Sequence, residues 1–291
     1  STGDFIKMNR CFDVEVRNPF MRHGGYYGLS IPGMNEDIRS YGGGMEDVRH
    51  AVSVVYLDST NPDKYGQPIN VLIDGMTASY TTLSGFDTHD TGRDIRFTNC
   101  VADSAGDDGF QARTTNVTFN QCVARYCYND GFSQYTGASG LQAVDCVAEY
   151  NGRIGVNWNY AATTWIGGRV NNNGSSVARG GLKSGGGPGF TMYGGLISCA
   201  TITDNGGTSA IIHGTAGFGQ SPLLVEACTI PASATQVSLI AAPAVYNLSL
   251  ATLRNNEIVG YGNNMFQNFG TLNNIAPVTS NNQITATGSQ R

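Results

Sequence analysis

The chain reads as an all-β protein, a single-stranded right-handed parallel β-helix of about ten coils of roughly 24 residues. Three observations lead there. Cys-Val-Ala recurs at Cys100–Ala102, Cys122–Ala124 and Cys146–Ala148, at spacings of 22 and 24 residues. A unit that short cannot bury its apolar face alone and has to stack on its neighbours. Each copy is followed by a Gly-apolar pair: Gly109-Phe110, Gly131-Phe132 and Gly155-Val156. The composition points the same way, with 39 Gly, only 13% charged residues and many Asn, Thr and Ser. That mixture disfavours helices and suits short strands joined by tight turns.

The elements follow in order. Gly28-Leu29 and His50–Val52 form the early copies of one strand, and Gly85-Phe86 the copy before Gly109-Phe110. Met76 then takes the Cys100 slot and Ala78 the Ala102 slot. Gly181-Leu182 and Ile211-Ile212 are expected to continue the row. Alternating runs predict strands at Val71–Met76, Ile95–Cys100, Val117–Cys122, Gln142–Val147 and Phe190–Ile197. Asp107-Asp108-Gly, Asn129-Asp130-Gly and Asn151-Gly supply turns. Segments 57–70 and 171–189 interrupt the period as longer connections, which in solenoids usually fall on the binding face. Residues 1–235 are expected to form the β-helix, and 236–291 its last coils with a cap or oligomer-contact segment.

The bulk numbers exclude several classes. Net charge is −5 and basic residues form no cluster, which argues against nucleic-acid binding. No apolar run approaches the ~18 residues of a membrane span, so no membrane insertion is expected. The polar start, Ser1-Thr-Gly-Asp, is unlike a secretory leader. The recurring Cys residues read as stacked inward thiols, and CxxC metal spacing is absent. No cofactor or metal is expected.

Alternation assigns the faces. With Phe86, Phe110, Phe132, Val156 and Leu182 inward, the next residues point outward: Asp87, Gln111, Ser133, Asn157 and Lys183. Two residues on lie His89, Arg113, Tyr135, Asn159 and Gly185. Successive coils are about 4.8 Å apart, so Asp87, His89, Arg113 and Tyr135 fall within about 10 Å of each other. The chain holds four His residues, and His50, beside Arg49, lies near this patch. These residue types suit a uronic-acid sugar. An Arg neutralises the carboxylate and acidifies C5–H. A His or Tyr removes that proton, and a second acid protonates the departing O4 or returns a proton to C5. His89, Arg113, Tyr135, Asp87 and His50 are the candidate catalytic residues. Gln111, Asn157, Asn159, Tyr160, Lys183 and Arg49 are candidate substrate contacts. Asp87 with Asp108 or Asp130 would instead suit a glycoside hydrolase, although Asp107, Asp108 and Asp130 read first as turn residues. Trp158 has inward parity and reads as core.

Gly85-Phe86-Asp87-Thr88-His89-Asp90, followed by Asp108-Gly109-Phe110, resembles the Gly-Phe-Asp-Pro-His-Glu/Asp signature of mannuronan C5-epimerases, over roughly 71–160. The resemblance implies catalytic roles for Asp87 and His89. Thr88 stands where that family has Pro, and Ser84 where it has a catalytic Tyr. The combination of Arg49-His50-Ala51-Val52 with Phe86-Asp87-Thr88-His89 is similar to β-helix segments of bacteriophage tail-spike and tail-fibre proteins, over about 38–215. That resemblance implies a pectate-lyase-like solenoid, a virion-tail or extracellular setting and an acidic capsular or exopolysaccharide as partner. It also implies a homotrimer. β-Elimination is the favoured reaction. A C5-epimerase, a hydrolase and a non-catalytic glycan-binding tail segment are the alternatives.

Overall fold

The computed structural model describes residues 3–55, 66–89, 91–158, 160, 163–174, 190–192, 195–203, 212–214, 223–231, 240–241, 251–259, 266–267 and 278–285. Among them every regular element is a strand, and the strands form three parallel sheets of eleven. Each sheet takes every third strand, so the chain winds as a three-sided parallel β-helix. The strands at 240–241, 251–254, 257–259, 266–267, 278–280 and 283–285 continue the same three sheets.

The repeat sets the register. In the third sheet Ala78, Ala102, Ala124 and Ala148 are successive partners. Met76, Cys100, Cys122 and Cys146 are all fully buried two residues earlier. The thiols are free, and burial pushes the Cys122 thiol well above its ordinary value. In the first sheet the inward row is Leu29, Val52, Phe86, Phe110, Phe132, Val156 and Phe190. Phe110 stacks on Phe86 and Phe132 at centroid distances of 4.7 and 4.8 Å. Identical rings in register pack face over face, which adds to their area burial.

Two expectations change. Gln142–Val147 is not one strand but two, Gln142–Val144 and Val147–Glu149, in different sheets. Phe190–Ile197 likewise divides into Phe190–Met192 and Gly195–Ser198. The break after Val144 is a corner at Asp145, with φ 51°. The corner recurs from rung to rung, at Asn18, Gly42, Gly75, Asn99, Gln121, Asp145, Gly167, Cys199, Ala227, Asn255 and Asn281, all with positive φ. A left-handed residue turns the chain in a single step, and its N–H still bonds to the next rung, as Asn99 N–H does to Asn120 O at 2.9 Å. The alternation slips by one residue at the corner: Thr98 and Asn99 both face outward between the buried Phe97 and Cys100. Second, Val156 pairs with Phe190. Phe190 and Thr191 therefore hold the slots expected for Leu182 and Lys183. The rung after Val156 is longer than its neighbours, which defeats extrapolation by a fixed period. Leu182, Lys183 and Gly185 lie outside the described residues. The connection expected over 57–70 also ends sooner, because Ile69 already begins a strand.

Candidate active site on the outer face of the first sheet

Three outward rows meet on this face. The middle row is Ser30, Ser53, Asp87, Gln111, Ser133 and Asn157. On one side run Tyr27, His50, Ser84, Asp108 and Asp130, and on the other His89, Arg113 and Tyr135. The middle row faces away from the core yet is deeply covered. Asp87 is 1% exposed, Gln111 3% and Ser133 2%. Neighbouring side chains close over this row, as Asp108 does on Gln111 and Ser133 and Arg113 on Gln111, so outward direction here does not mean exposure.

Asp87 and His89 form the first group. His89 Nδ1 lies 3.3 Å from Asp87 Oδ2, and the His89 side chain is 41% exposed. A carboxylate can only accept, so this approach favours the tautomer with the proton on Nδ1, which would leave Nε2 as the basic nitrogen of the ring. Asp87 Oδ1 and Ser84 Oγ, both buried, have no hydrogen-bond partner. His50 sits beside them. Its Nδ1–H donates to the Ser84 carbonyl at 2.9 Å. Burial lowers its pKa, opposed by the Asp87 charge. His50 is therefore a neutral imidazole at neutral pH, and at 6% exposure it is a support for the site rather than a group a polymer can reach.

Tyr27 joins this group without having been singled out from the sequence. Its ring lies 5.6 Å from that of His50. Burial, and next the Asp87 charge, raise its pKa. The signal was available, because Gly28-Leu29 and His50–Val52 share a strand position and so bring Tyr27 against His50. Thr88 occupies an inward position, and its hydroxyl accepts the Arg113 N–H at 2.9 Å. That bond anchors the neighbouring rung where Arg113 leaves the strand.

Arg113 and Tyr135 form the second group. The guanidinium lies 4.4 Å from the Tyr135 ring centroid, a cation–π contact. Burial, then the charges of Asp108 and Asp107, push the Tyr135 phenol up to about 12. Tyr135 therefore holds its proton and is suited to donate it. This differs from the expectation that either a His or a Tyr could serve as base.

The aspartates read as turn residues do more than shape turns. Asp108 Oδ1 accepts the Asp130 N–H at 3.0 Å, and Asp130 Oδ1 accepts the Ile154 N–H at 3.1 Å. Each thus ties its turn to the next rung. Asp108 Oδ2 also accepts from Ser133 Oγ at 2.6 Å and Gln111 Nε2 at 3.2 Å. Asp130 takes two bonds from Arg153 and one from Asn157 Nδ2 at 2.7 Å. Burial, with Asp130 and Asp107, pushes the Asp108 carboxyl up to about 7.

The remaining sequence candidates divide. Gln111, expected as a substrate contact, is buried with both amide ends engaged inside the protein, by Asp108 and Arg113. Asn157 is half-buried and tied to Asp130. The Tyr160 N–H donates to Gln134 Oε1 at 3.2 Å. The Arg49 guanidinium lies 4.1 Å from the Tyr26 ring centroid, at the edge of the face. Trp158 is fully buried against Trp165. Asn159, Asp90 and Lys183 lie outside the described residues.

Fold and face together define the class: a three-sided parallel β-helix with a polar, partly buried row on one sheet. Comparison with known proteins agrees. No family model matches the chain. Over 123 residues it is 42% identical to a protein of Klebsiella phage K64-1 described as a capsule K1-specific depolymerase. That match covers 40% of this chain and 13% of that protein, so the chain spans a small part of the curated relative's length. Among solved structures it is similar to the Azotobacter vinelandii mannuronan C-5 epimerase AlgE4 A-module, with a TM-score of 0.54 and 16% identity over 96% of this chain and 90% of that one. The AlgE6 A-module of the same organism has a TM-score of 0.51 and 16% identity, over 96% and 89% of the two chains. The Agl-KA catalytic domain has a TM-score of 0.50 and 11% identity, over 94% and 52%. At these identities the structural likeness is one of fold.

Proposed function

We propose that this chain is the glycan-acting β-helix of a phage tail depolymerase and that it cleaves an acidic capsular or exopolysaccharide by β-elimination. The observation that carries the reading is the Asp87–His89 pair, one buried carboxylate orienting one exposed imidazole, on the face that also holds Arg113 and Tyr135. Arg113 pairs with the uronate carboxylate and stabilises the charge that develops when C5–H ionises. His89 Nε2 takes that proton. The C5 electron pair forms the C4=C5 double bond, the C4–O4 bond breaks, and the Tyr135 phenol supplies a proton to O4. Asp87 holds the imidazole in the required tautomer and stabilises it once protonated.

An epimerase would share the first step and return a proton to C5. The likeness to epimerase A-modules and the motif at Gly85–Asp90 favour it as the second reading. A hydrolase using Asp108 or Asp130 is disfavoured, because both carboxylates are buried and spend their acceptors on protein donors. A virion-tail location and a homotrimer belong to the same proposal.

The test is incubation with a panel of uronate-containing capsular polysaccharides, following ultraviolet absorbance of the unsaturated uronate together with reducing ends. Both rise for a lyase. Reducing ends alone indicate a hydrolase, and solvent deuterium at C5 without cleavage an epimerase. Binding without any of these changes would overturn the enzymatic reading. His89→Ala is expected to cut turnover about 100-fold or more.

A further inference from the structure

We propose that Asp108 is a positioning residue for Arg113, acting through the Gln111 side-chain amide, so that the three side chains are one unit that aims the cation of the site. The proposal rests on the reading of Arg113 as the uronate-binding group.

The geometry is a directed chain. Asp108 Oδ2 accepts from Gln111 Nε2 at 3.2 Å, and Gln111 Oε1 accepts from Arg113 Nε at 2.9 Å. Arg113 fixes the amide: a guanidinium offers only donors and requires Oε1, which leaves Nε2 to donate to Asp108 Oδ2. Asp108 is itself held, by Ser133 Oγ at 2.6 Å and the Asp130 N–H at 3.0 Å. Asp108 is 1% exposed and Gln111 3%, so neither competes for substrate or yields its partner to water. Tyr135 supports the guanidinium through its ring at 4.4 Å. With Nε engaged and one face covered, the guanidinium is held in orientation before a ligand arrives. Such preorganisation reduces the ordering cost of binding.

The chain also predicts how it fails. Asp108→Asn keeps an oxygen for the Asp130 N–H but turns a donor toward Gln111. The Gln111 amide must then invert and present Nε2 to Arg113 Nε, donor against donor. Gln111→Glu still accepts from Arg113 but, above about pH 7 where the Asp108 carboxyl is ionised, sets a second carboxylate against it, so the variants are compared at about pH 8. Combining the two restores complementarity with the polarity reversed. The amide introduced at position 108 can donate to the carboxylate introduced at position 111, which accepts from Arg113.

The test compares wild type, Asp108→Asn, Gln111→Glu and the double variant. The readouts are crystal structures and affinity for two probes, Klebsiella K1 capsular oligosaccharide and the same oligosaccharide with its carboxyls reduced. Each single variant is expected to lose about tenfold or more in affinity for the acidic probe. The reduced probe should be unaffected, and the double variant should recover to within about threefold of wild type. Single variants that keep wild-type affinity overturn the proposal. So does equal loss for both probes, which is general damage, or a double variant no better than the singles. If Asp108→Asn does not fold, Gln111→Glu and the double variant still decide it. If wild type binds neither probe, the uronate reading fails for this glycan. The positioning chain is then judged by the crystal structures, where an unmoved Arg113 in the single variants refutes it.

Discussion

The Asp87 carboxylate, 1% exposed, lies 3.3 Å from Nδ1 of His89, whose side chain is 41% exposed. Asp87→Asn removes the acceptor that sets the His89 tautomer. Turnover is expected to fall about 10²- to 10⁴-fold. Affinity for the glycan and the thermal midpoint should stay near wild type, because Asp87 Oδ1 has no protein partner to lose. Steady-state kinetics together with thermal unfolding check this, and equal loss of activity and stability would count against an orienting role.

Tyr135 combines a proton and a platform. Tyr135→Phe removes the phenol but keeps the ring that stacks on Arg113 at 4.4 Å. Turnover should fall by about 10² or more while affinity for acidic glycan is retained. Tyr135→Ala removes both, and affinity should drop a further few-fold, from a contact worth about 0.5–1 kcal/mol. Wild-type turnover in Tyr135→Phe would sink the proton-donor role, and equal affinity for the two variants would sink the platform role.

Asp108 and His50 push stability in opposite directions with pH. Asp108 is raised to about 7 from an ordinary value of 3.8, so the folded protein keeps a proton that the unfolded chain gives up. Its contribution is full below about pH 4 and is lost as pH rises to about 7. The titratable and charged groups around it are Asp107, Asp130, Tyr135, Arg113 and Arg153, with the Cys127 thiol beneath. Asp108→Asn should flatten the fall in thermal midpoint between about pH 5 and 8, by a few °C. His50 is lowered by burial, so its contribution is present above its unfolded value of 6.5 and lost as pH falls. A variant whose midpoint follows the same pH curve as wild type would refute the Asp108 assignment.

Core and corner positions should respond in opposite senses. Phe110→Ala empties a fully buried place in a three-ring stack and is expected to cost about 3–5 kcal/mol. Gln121 holds a left-handed corner at φ 53° with its side chain exposed. Gln121→Gly relieves a backbone penalty of about 1–2 kcal/mol against a smaller entropic loss, so a net gain of about 0.5–1 kcal/mol is expected in chemical denaturation. A loss at Gln121 would mean the side chain contributes more than its exposure indicates.

Much of the fold was legible because parallel in-register stacking turns sequence period directly into spatial neighbourhood. Cys100, Cys122 and Cys146 marked the rung, and the Gly-apolar pairs marked the row that became Phe86, Phe110, Phe132 and Val156. The corner was not legible. Gln121, Cys199 and Ala227 take positive φ without being residues that favour it, and the one-residue slip of the alternation from Phe119 to Cys122 becomes visible only once burial is known. Phe190 was missed because a longer rung cannot be counted by period.

The candidate site divides along the same line. Sequence alone determined which side chains share a face: parity and period bring Asp87, His89, Arg113 and Tyr135 together from 49 positions of chain. Only the tertiary structure decided their depth and partners. It buried Asp87 and Gln111 among neighbouring side chains, brought Tyr27 against His50, and joined Asp108 to Gln111. The physical reason is that parity specifies a direction from the core and nothing more. Burial, hydrogen-bond polarity and charge depend on the lengths and angles of side chains on neighbouring rungs, which a one-dimensional repeat does not encode.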